Sequence, residues 1–533
     1  MRRRTARTRL RHLLCALLLT TGTAVGATGA SVDAAAPAAS AAAPPSLGNV
    51  IPAPTSAKPG GSPYEISAKT VIRTDRTGAP VARQLAELLR PSTGYELPVT
   101  TKSGDSGIQL RTSAKERPLG AEGYRLKSGR AGVVISAYKA AGLFHGIQTL
   151  RQLLPAAVES GSVQAGPWKV AGGTISDKPR YGYRGTHLDV SRHFFSVDKV
   201  KKYIDQMSLY KINRLHLHLS DDQGWRIAID SWPRLATYGG STQVGGGAGG
   251  YYTKADYKEI VRYAASKYLT VVPEIDMPGH TNAALASYAE LNCDGVAPPL
   301  YTGTDVGFSS LCVPKEITYD FVDDVIGELA ALTPGEYIHI GGDEAHSTSH
   351  EDYVKFMNRV TPIVAEHGKK VMGWHQIAAA DPVKGELAQY WDTTGAASAD
   401  VVAAAKAGTK FVLSPANKLY LDMKYNKDTP LGLSWAGYVE VQDSYSWDPG
   451  NYLQGVPGDA VAGVEAPLWS ETLWESDQVE FMAFPRLAGA AELGWSQASA
   501  LSWDSYKARV GTHGPRWTAM GIDFYRSPQV PWS

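Results

Sequence analysis

The sequence predicts a (β/α)8 barrel of the α/β class preceded by a smaller α+β domain, and three observations carry that prediction. From residue 181 onward, short apolar runs alternate with amphipathic stretches at helical spacing. Eight such runs occur, the number a closed parallel barrel needs. Nearly every run ends in a carboxylate or an indole, where a merely core-filling strand end would carry aliphatic side chains.

At 533 residues the chain exceeds one ordinary core, so two folded domains are expected. A hydrophobic content of 43% with 20% charged residues excludes a disordered or fibrous protein. The formal net charge is +1, but six arginines lie within the first eleven residues and the remainder is mildly acidic. No basic surface, and hence no nucleic-acid partner, is implied. The arginine cluster, the apolar run 13–19 and the small residues 22–30 have the order of a secretory signal, so residues 1–30 are expected to be a signal peptide and the protein to be secreted. The tandem arginines fit the twin-arginine route no better than the general one. Residues 31–45 are an Ala/Pro/Ser tract of flexible-linker composition. No later segment has the apolar length of a membrane span, so no membrane anchor is expected.

Residues 46–178 form the expected accessory domain, with strands over 65–74, 107–112, 123–127 and 132–137. Its helices cover 80–89, ended by Pro91, and 140–154, ended by Pro155. This stretch clusters neither acids nor histidines, which points to support. Residues 179–533 are the expected barrel with a C-terminal helical extension. Its strands are predicted over 183–190, 214–219, 269–275, 336–340, 370–374, 387–391, 410–413 and 461–468. Helices fall between them, among them 197–210, 254–267, 317–332 and 400–407, and long insertions follow the third and seventh strands. After export Cys293 and Cys312 remain as a pair. They can close a disulfide loop worth about 3 kcal/mol, the alternative being two buried thiols.

In a (β/α)8 barrel the loops after the strands build the active site. Here those ends carry Asp189 and Arg192; Asp221 and Asp222; Glu274, Asp276 and His280; Asp343 and Glu344; Trp374; Trp391 and Asp392; Tyr420 and Asp422; Trp469 and Glu471. The run 336–346 is the most informative, because a strand stops at Gly341 and Gly342 and delivers two adjacent carboxylates. Neighbours on an extended backbone point differently, so one can move protons while the other orients or stabilises charge. The bland alternative is a helix cap at Asp343 and a solvated Glu344. Trp374, Trp391 and Trp469 offer flat walls for the C–H faces of a sugar, and Arg192 offers a fork of donors to ligand oxygens.

Four separated motifs, 189–194 (DVSRHF), 216–225 (HLHLSDDQGW), 273–280 (PEIDMPGH) and 339–344 (HIGGDE), together resemble the family 20 glycoside hydrolases, the β-N-acetylhexosaminidases. That resemblance implies exo-acting removal of terminal β-linked N-acetylglucosamine or N-acetylgalactosamine with retention. The substrate's own 2-acetamido group serves as nucleophile, an exception to the two-carboxylate scheme. It implies that Glu344 is the general acid and base, that Asp343 holds the acetamido N–H, and that Tyr420 holds its carbonyl oxygen. It further implies that Trp374, Trp391 and Trp469 box the sugar, that Arg192, Asp422 and Glu471 hold its outer hydroxyls, that Asp221 and His280 tune the acid, and that Trp435 extends the site toward the leaving group. Glu344 is then expected to begin protonated and Asp343 ionised. No cofactor or metal is implied, the partners are β-linked N-acetylhexosamine saccharides such as chitin oligosaccharides, and a monomer is expected.

Two rivals carry other expectations. His216 and His218 resemble the paired histidines of metal-dependent amidohydrolase barrels, with His280 and His346 as further ligands. Against this, they belong to the second strand, and the last strand ends in Trp469 and Glu471 without a metal-binding aspartate. A non-catalytic carbohydrate-binding protein would keep the aromatic walls but has no need of a proton donor at Glu344.

Overall fold

A computed structural model describes residues 46–533; the expected signal peptide (1–30) and linker (31–45) lie outside the described residues. All eight expected runs form a closed parallel barrel. Barrel strands 1 to 8 are Tyr183–Asp189, Arg214–His218, Thr270–Glu274, Tyr337–His339, Lys370–Trp374, Leu387–Tyr390, Lys410–Leu413 and Val461–Ala466. Strand 1 closes the ring by pairing with strand 2 at Gly185↔Arg214 and with strand 8 at Gly185↔Glu465. Helices Val197–Ser208, Lys254–Ser266, Glu316–Leu332 and Ala399–Ala407 lie where periodicity placed them. A further helix, His350–Glu366, runs between strands 4 and 5 with Pro362 inside it, its start capped by the Ser349 hydroxyl.

The interior of the barrel is not the aliphatic stack usual in this architecture. One layer is apolar, built from Tyr183, Val272, Met372, Leu387 and Val412. Toward the C-terminal ends of the strands it gives way to His187, His216, His218, His339, Glu274, Glu465 and Gln389, all fully buried. Buried charge on this scale is tolerated only where partners offset it, and here the carboxylates of Glu274 and Glu465 are each held by imidazoles, while His187, His216 and His339 each keep an Nε2 without a hydrogen-bond partner.

Residues ahead of the barrel form a seven-stranded mixed sheet in the order Ser56–Pro59, Gly173–Asp177, Tyr124–Gly129, Gly132–Ala137, Gly107–Thr112, Ile72–Thr74, Val99–Thr100. Helices Ala79–Thr93 and Ala140–Leu153 pack against it and each other. Two local expectations are corrected. The single strand over 65–74 is two strands, Tyr64–Ile66 and Ile72–Thr74, because Thr70 closes a turn onto Ser67 and sends them to different sheets. The first helix runs past Pro91 to Thr93 and ends at Gly94 in the left-handed conformation (φ 69°). A proline in the last turn forfeits only one helical bond, and the Thr93 hydroxyl and Gly94 amide take the Leu89 and Arg90 carbonyls.

The two layers meet through buried polar contacts. Asp177 accepts from Lys211 (3.1 Å) and from the Trp495 indole (2.9 Å), while Glu122 holds Arg184 of barrel strand 1 (2.5 Å). The second barrel insertion, 219–269, is as prominent as those after strands 3 and 7; only the latter two were expected.

Candidate active site

Barrel strand 4 stops at His339 and the chain turns through Gly341 (φ 66°) and Gly342 (φ 100°). Both need the left-handed region, and a Cβ on Gly341 would collide with the Asp276 carboxylate, whose Oδ1 accepts the Gly342 amide at 3.1 Å. Glycine here brings the turn against the end of strand 3. Asp343 is then buried, whereas Glu344, itself at φ 44°, keeps 28% of its side chain exposed. The loop after strand 3 delivers His280, also at positive φ (56°). Two non-glycine residues held in this costly region face each other at one site. His280 Nε2 lies 3.4 Å from Glu344 and 3.6 Å from Asp343, and its Nδ1 lies 3.2 Å from Asp221. Asp221 in turn binds Arg192 (2.9 Å) and His218 (2.6 Å). The helix-cap alternative for Asp343 is set aside, since the helix that follows is capped by Ser349.

Burial pushes the Asp343 carboxyl up to about 6; His280 opposes the rise and the Glu344 charge adds to it. Burial also raises Glu344, but the His280 contact, with Arg192 and His346 beyond it, outweighs burial and holds this carboxyl below its ordinary value. For His280, burial opposes the charge and Asp221 and Asp343 overcome it, so the ring is held as a cation. The expected order, Glu344 protonated and Asp343 ionised, is therefore reversed in this structure. The physical reason is that the imidazolium sits nearer the more exposed Glu344, while Asp343 lies deeper.

Around this polar line stands an aromatic box. Trp374 and Trp469 lie 5.7 Å apart, Tyr420 packs 6.1 Å from Trp469, and Trp391 flanks the same cluster. Trp374 donates its indole N–H to Glu274 (2.9 Å) and Trp391 to Gln376 (3.1 Å), which fixes both ring planes. Trp435 is 55% exposed and meets Trp391 and Tyr420 edge-on at 6.0 and 5.9 Å, forming the rim. The Arg192 guanidinium lies 4.9 Å over Trp469. Burial and the neighbouring Glu471 charge push Asp422 well above the usual carboxylate range. Among the described residues Arg192 Nε, Asp343 Oδ1, Asp422 Oδ2 and Glu471 Oε2 are buried without hydrogen-bond partners, although such groups are normally satisfied. Each belongs to a residue singled out from the sequence, and together they offer a guanidinium donor and three carboxyl oxygens to a polyhydroxylated ligand.

The remaining expected pair, Cys293 and Cys312, forms a disulfide in the loop after strand 3. Sequence reasoning gave no role to Glu274, His339 or Glu465. Their signal was a charged or imidazole residue inside otherwise apolar barrel strands. Several imidazole and carboxylate groups cluster closely enough to suggest a metal, among them His187, His216 and Glu274. The donors do not fit one: both nitrogens of His216 and of His218 face carboxylates at 2.5–3.0 Å, and Arg192 places a fixed cation against Asp221.

A barrel whose strand ends combine a paired carboxylate, a cationic imidazole and an indole box is the site of a sugar-cleaving hydrolase. Residues 181–498 match the model of the glycosyl hydrolase family 20 catalytic domain, and residues 48–178 that of the family's domain 2. The chain belongs to glycosyl hydrolase family 20. It is 42% identical to a β-N-acetylhexosaminidase of Cellulomonas fimi over 91% of this chain and 97% of that one. The structure of a family 20 β-N-acetylhexosaminidase from Streptomyces coelicolor A3(2) superposes with a TM-score of 0.90 at 69% identity, covering 92% of this chain and all of that one. A Streptomyces plicatus β-hexosaminidase variant, solved with the product GlcNAc, gives the same TM-score and identity over 92% and 99% of the two chains.

Proposed function

We propose that the chain removes single terminal β-linked N-acetylhexosamine residues from chitin oligosaccharides by substrate-assisted catalysis. That it is an exo-acting β-N-acetylhexosaminidase follows from its family and relatives. Glu344 gives its proton to the glycosidic oxygen while the acetamido carbonyl oxygen attacks the anomeric carbon. The glycosidic C–O bond breaks as the new C–O bond forms on the opposite face. Asp343 accepts the acetamido N–H and stabilises the oxazolinium, with Tyr420 donating to the acetamido oxygen. Glu344 then takes a proton from the water that opens the ring. Trp374, Trp391 and Trp469 clamp the ring; Arg192, Asp422 and Glu471 bind the outer hydroxyls; Asp221 and His280 set the state of Glu344. A cavity of about 530 Å³ beside Glu344, lined by His346, His375, Gln376 and Trp391, gives a leaving-group sugar room, with Trp435 at the rim.

The observation that carries the reading is the split between Asp343, buried and short of a partner at Oδ1, and Glu344, more open and beside His280. The same reading takes residues 1–30 as an export signal, 31–45 as a linker, 46–178 as the accessory domain and 179–533 as the catalytic domain. Among the described residues no helix is long and apolar enough to cross a membrane. Hydrolysis of a chromogenic β-N-acetylglucosaminide beside the matching β-glucoside, with and without chelator, tests it. Cleavage of the acetamido sugar alone, indifferent to chelator, is expected; equal cleavage of both, or loss on chelation, overturns it in favour of a two-carboxylate or metal-dependent site.

A further inference from the structure

We propose that Glu274, at the end of barrel strand 3, is a positioning residue that joins the two halves of the active site through one carboxylate. Its Oε2 accepts from His218 Nδ1 at 2.5 Å, and the other nitrogen of that ring donates to Asp221 at 2.6 Å. Asp221 continues to His280, and His280 to Glu344. The second oxygen, Oε1, accepts the Trp374 indole N–H at 2.9 Å and lies 3.0 Å from His339 Nδ1, the last residue of the strand that delivers Asp343 and Glu344. One oxygen thus governs the line to the proton carrier and the other fixes a wall of the sugar box.

The protonation states are dictated by geometry. Both His218 nitrogens face carboxylate oxygens at hydrogen-bond distance, so each needs a proton and the ring is an imidazolium. His216 bonds Glu465 through Nδ1 (2.8 Å), and its Nε2 lies 3.0 Å from Glu274 without hydrogen-bond geometry. The groups facing Glu274 are His187 from strand 1, His216 and His218 from strand 2, His339 from strand 4 and Trp374 from strand 5, and its charge also raises Asp276 and Asp343 beyond the ends of strands 3 and 4; Glu465 from strand 8 reaches it through His216, and Arg192 and Asp189 adjoin Asp221. All are buried, so the line from Glu274 to Asp221 is shielded from solvent up to His280, and only Glu344 at its end reaches water. The His218 cation divides the Asp221 charge between two rings. Without it, Asp221 holds the His280 proton more firmly, and the His280 cation in turn keeps Glu344 ionised.

This inference rests on the reading of Glu344 as the proton carrier, and the experiment separates the two. Glu274→Gln keeps the shape and can still accept from Trp374, but its amide donates to His218 and converts that ring to a neutral tautomer. In the intact chain, kcat is expected to fall about 10²-fold with KM changed far less, and the basic limb of the pH profile to move to lower pH. In the double variant with Asp221→Asn, the loss is expected to equal that of Asp221→Asn alone, because both act along one line. Multiplying losses, or an unshifted pH profile, overturn the role of Glu274. Full activity in Glu344→Gln would instead overturn the underlying reading. Should Glu274→Gln not fold, neutron diffraction from the unaltered protein near pH 7 decides: deuterons on both His218 nitrogens support the network, and a singly deuterated ring overturns it.

Discussion

The Asp343–Glu344 pair carries a consequence for pH. Asp343 is raised to about 6 by burial and Glu344 is held below its ordinary value by His280, so on the proposed mechanism the arrival of the acetamido N–H at Asp343 is expected to shift the proton toward Glu344. Asp343 holds a proton below about pH 6 and loses it above, beside an Asp276 that burial and the Asp343 charge raise in turn. kcat/KM is therefore expected to fall as pH rises through about 6, whereas kcat, which reports the complex, holds to higher pH; initial rates across pH 4 to 8 check this. Asp343→Asn is expected to lower kcat by about 10²- to 10³-fold, through lost stabilisation of the oxazolinium, and to move that limb to lower pH. Glu344→Gln should abolish hydrolysis of substrates with poor leaving groups while product binding, followed by tryptophan fluorescence, persists. Preserved hydrolysis would remove Glu344 from its role.

At the scale of elements, the barrel strands were legible because each is a short apolar run bounded by turn residues. The site was legible because barrels place function at strand C-termini. What stayed hidden was of two kinds. The strand broken at Ser67–Thr70 and the helix running through Pro91 turn on single side-chain bonds to the backbone that no periodicity encodes. The imidazole and carboxylate layer inside the barrel was visible as letters, yet its pairings span five strands and arise only on closure; Glu274 meets His218 and Trp374 through tertiary contacts alone. The reversed order of the two carboxylates was hidden for the same reason, since it depends on how near His280 comes to each. The loop after strand 3 gives an element-level prediction. It supplies Ser309, whose hydroxyl donates to Asp222 at 2.5 Å, and its disulfide spans a sequence separation of 19. Replacing Cys293 and Cys312 by serine is expected to cost about 3 kcal/mol by denaturant unfolding. A loss below about 1 kcal/mol would show that packing alone holds the loop.

For the whole molecule, the question is what ties the accessory sheet to the barrel, and a central tie lies at Asp177. This carboxylate, fully buried at the end of its strand, accepts from Lys211 (3.1 Å), Tyr124 (2.8 Å), the Trp495 indole (2.9 Å) and the Thr55 amide (3.0 Å). Lys211 is equally buried, and burial depresses its pKa against the opposing pull of Asp177. Replacing such a pair by matched apolar groups can be neutral, but removing one partner strands a charge where water does not reach, at a cost of about 3–5 kcal/mol. Asp177→Ala is therefore expected to lower the unfolding free energy by about that amount while kcat and KM for the acetamido substrate stay unchanged, because none of its partners belongs to the site. Adding Lys211→Met should recover part of the loss, since the stranded ammonium is then gone, and the double-mutant cycle isolates the pair. Chemical denaturation followed by far-UV circular dichroism measures it. One transition moving to lower denaturant, with the loss partly restored in the double variant, is the signature of a shared buried ion pair; two separated transitions would mean that sheet and barrel unfold independently and that Asp177 joins them in geometry only.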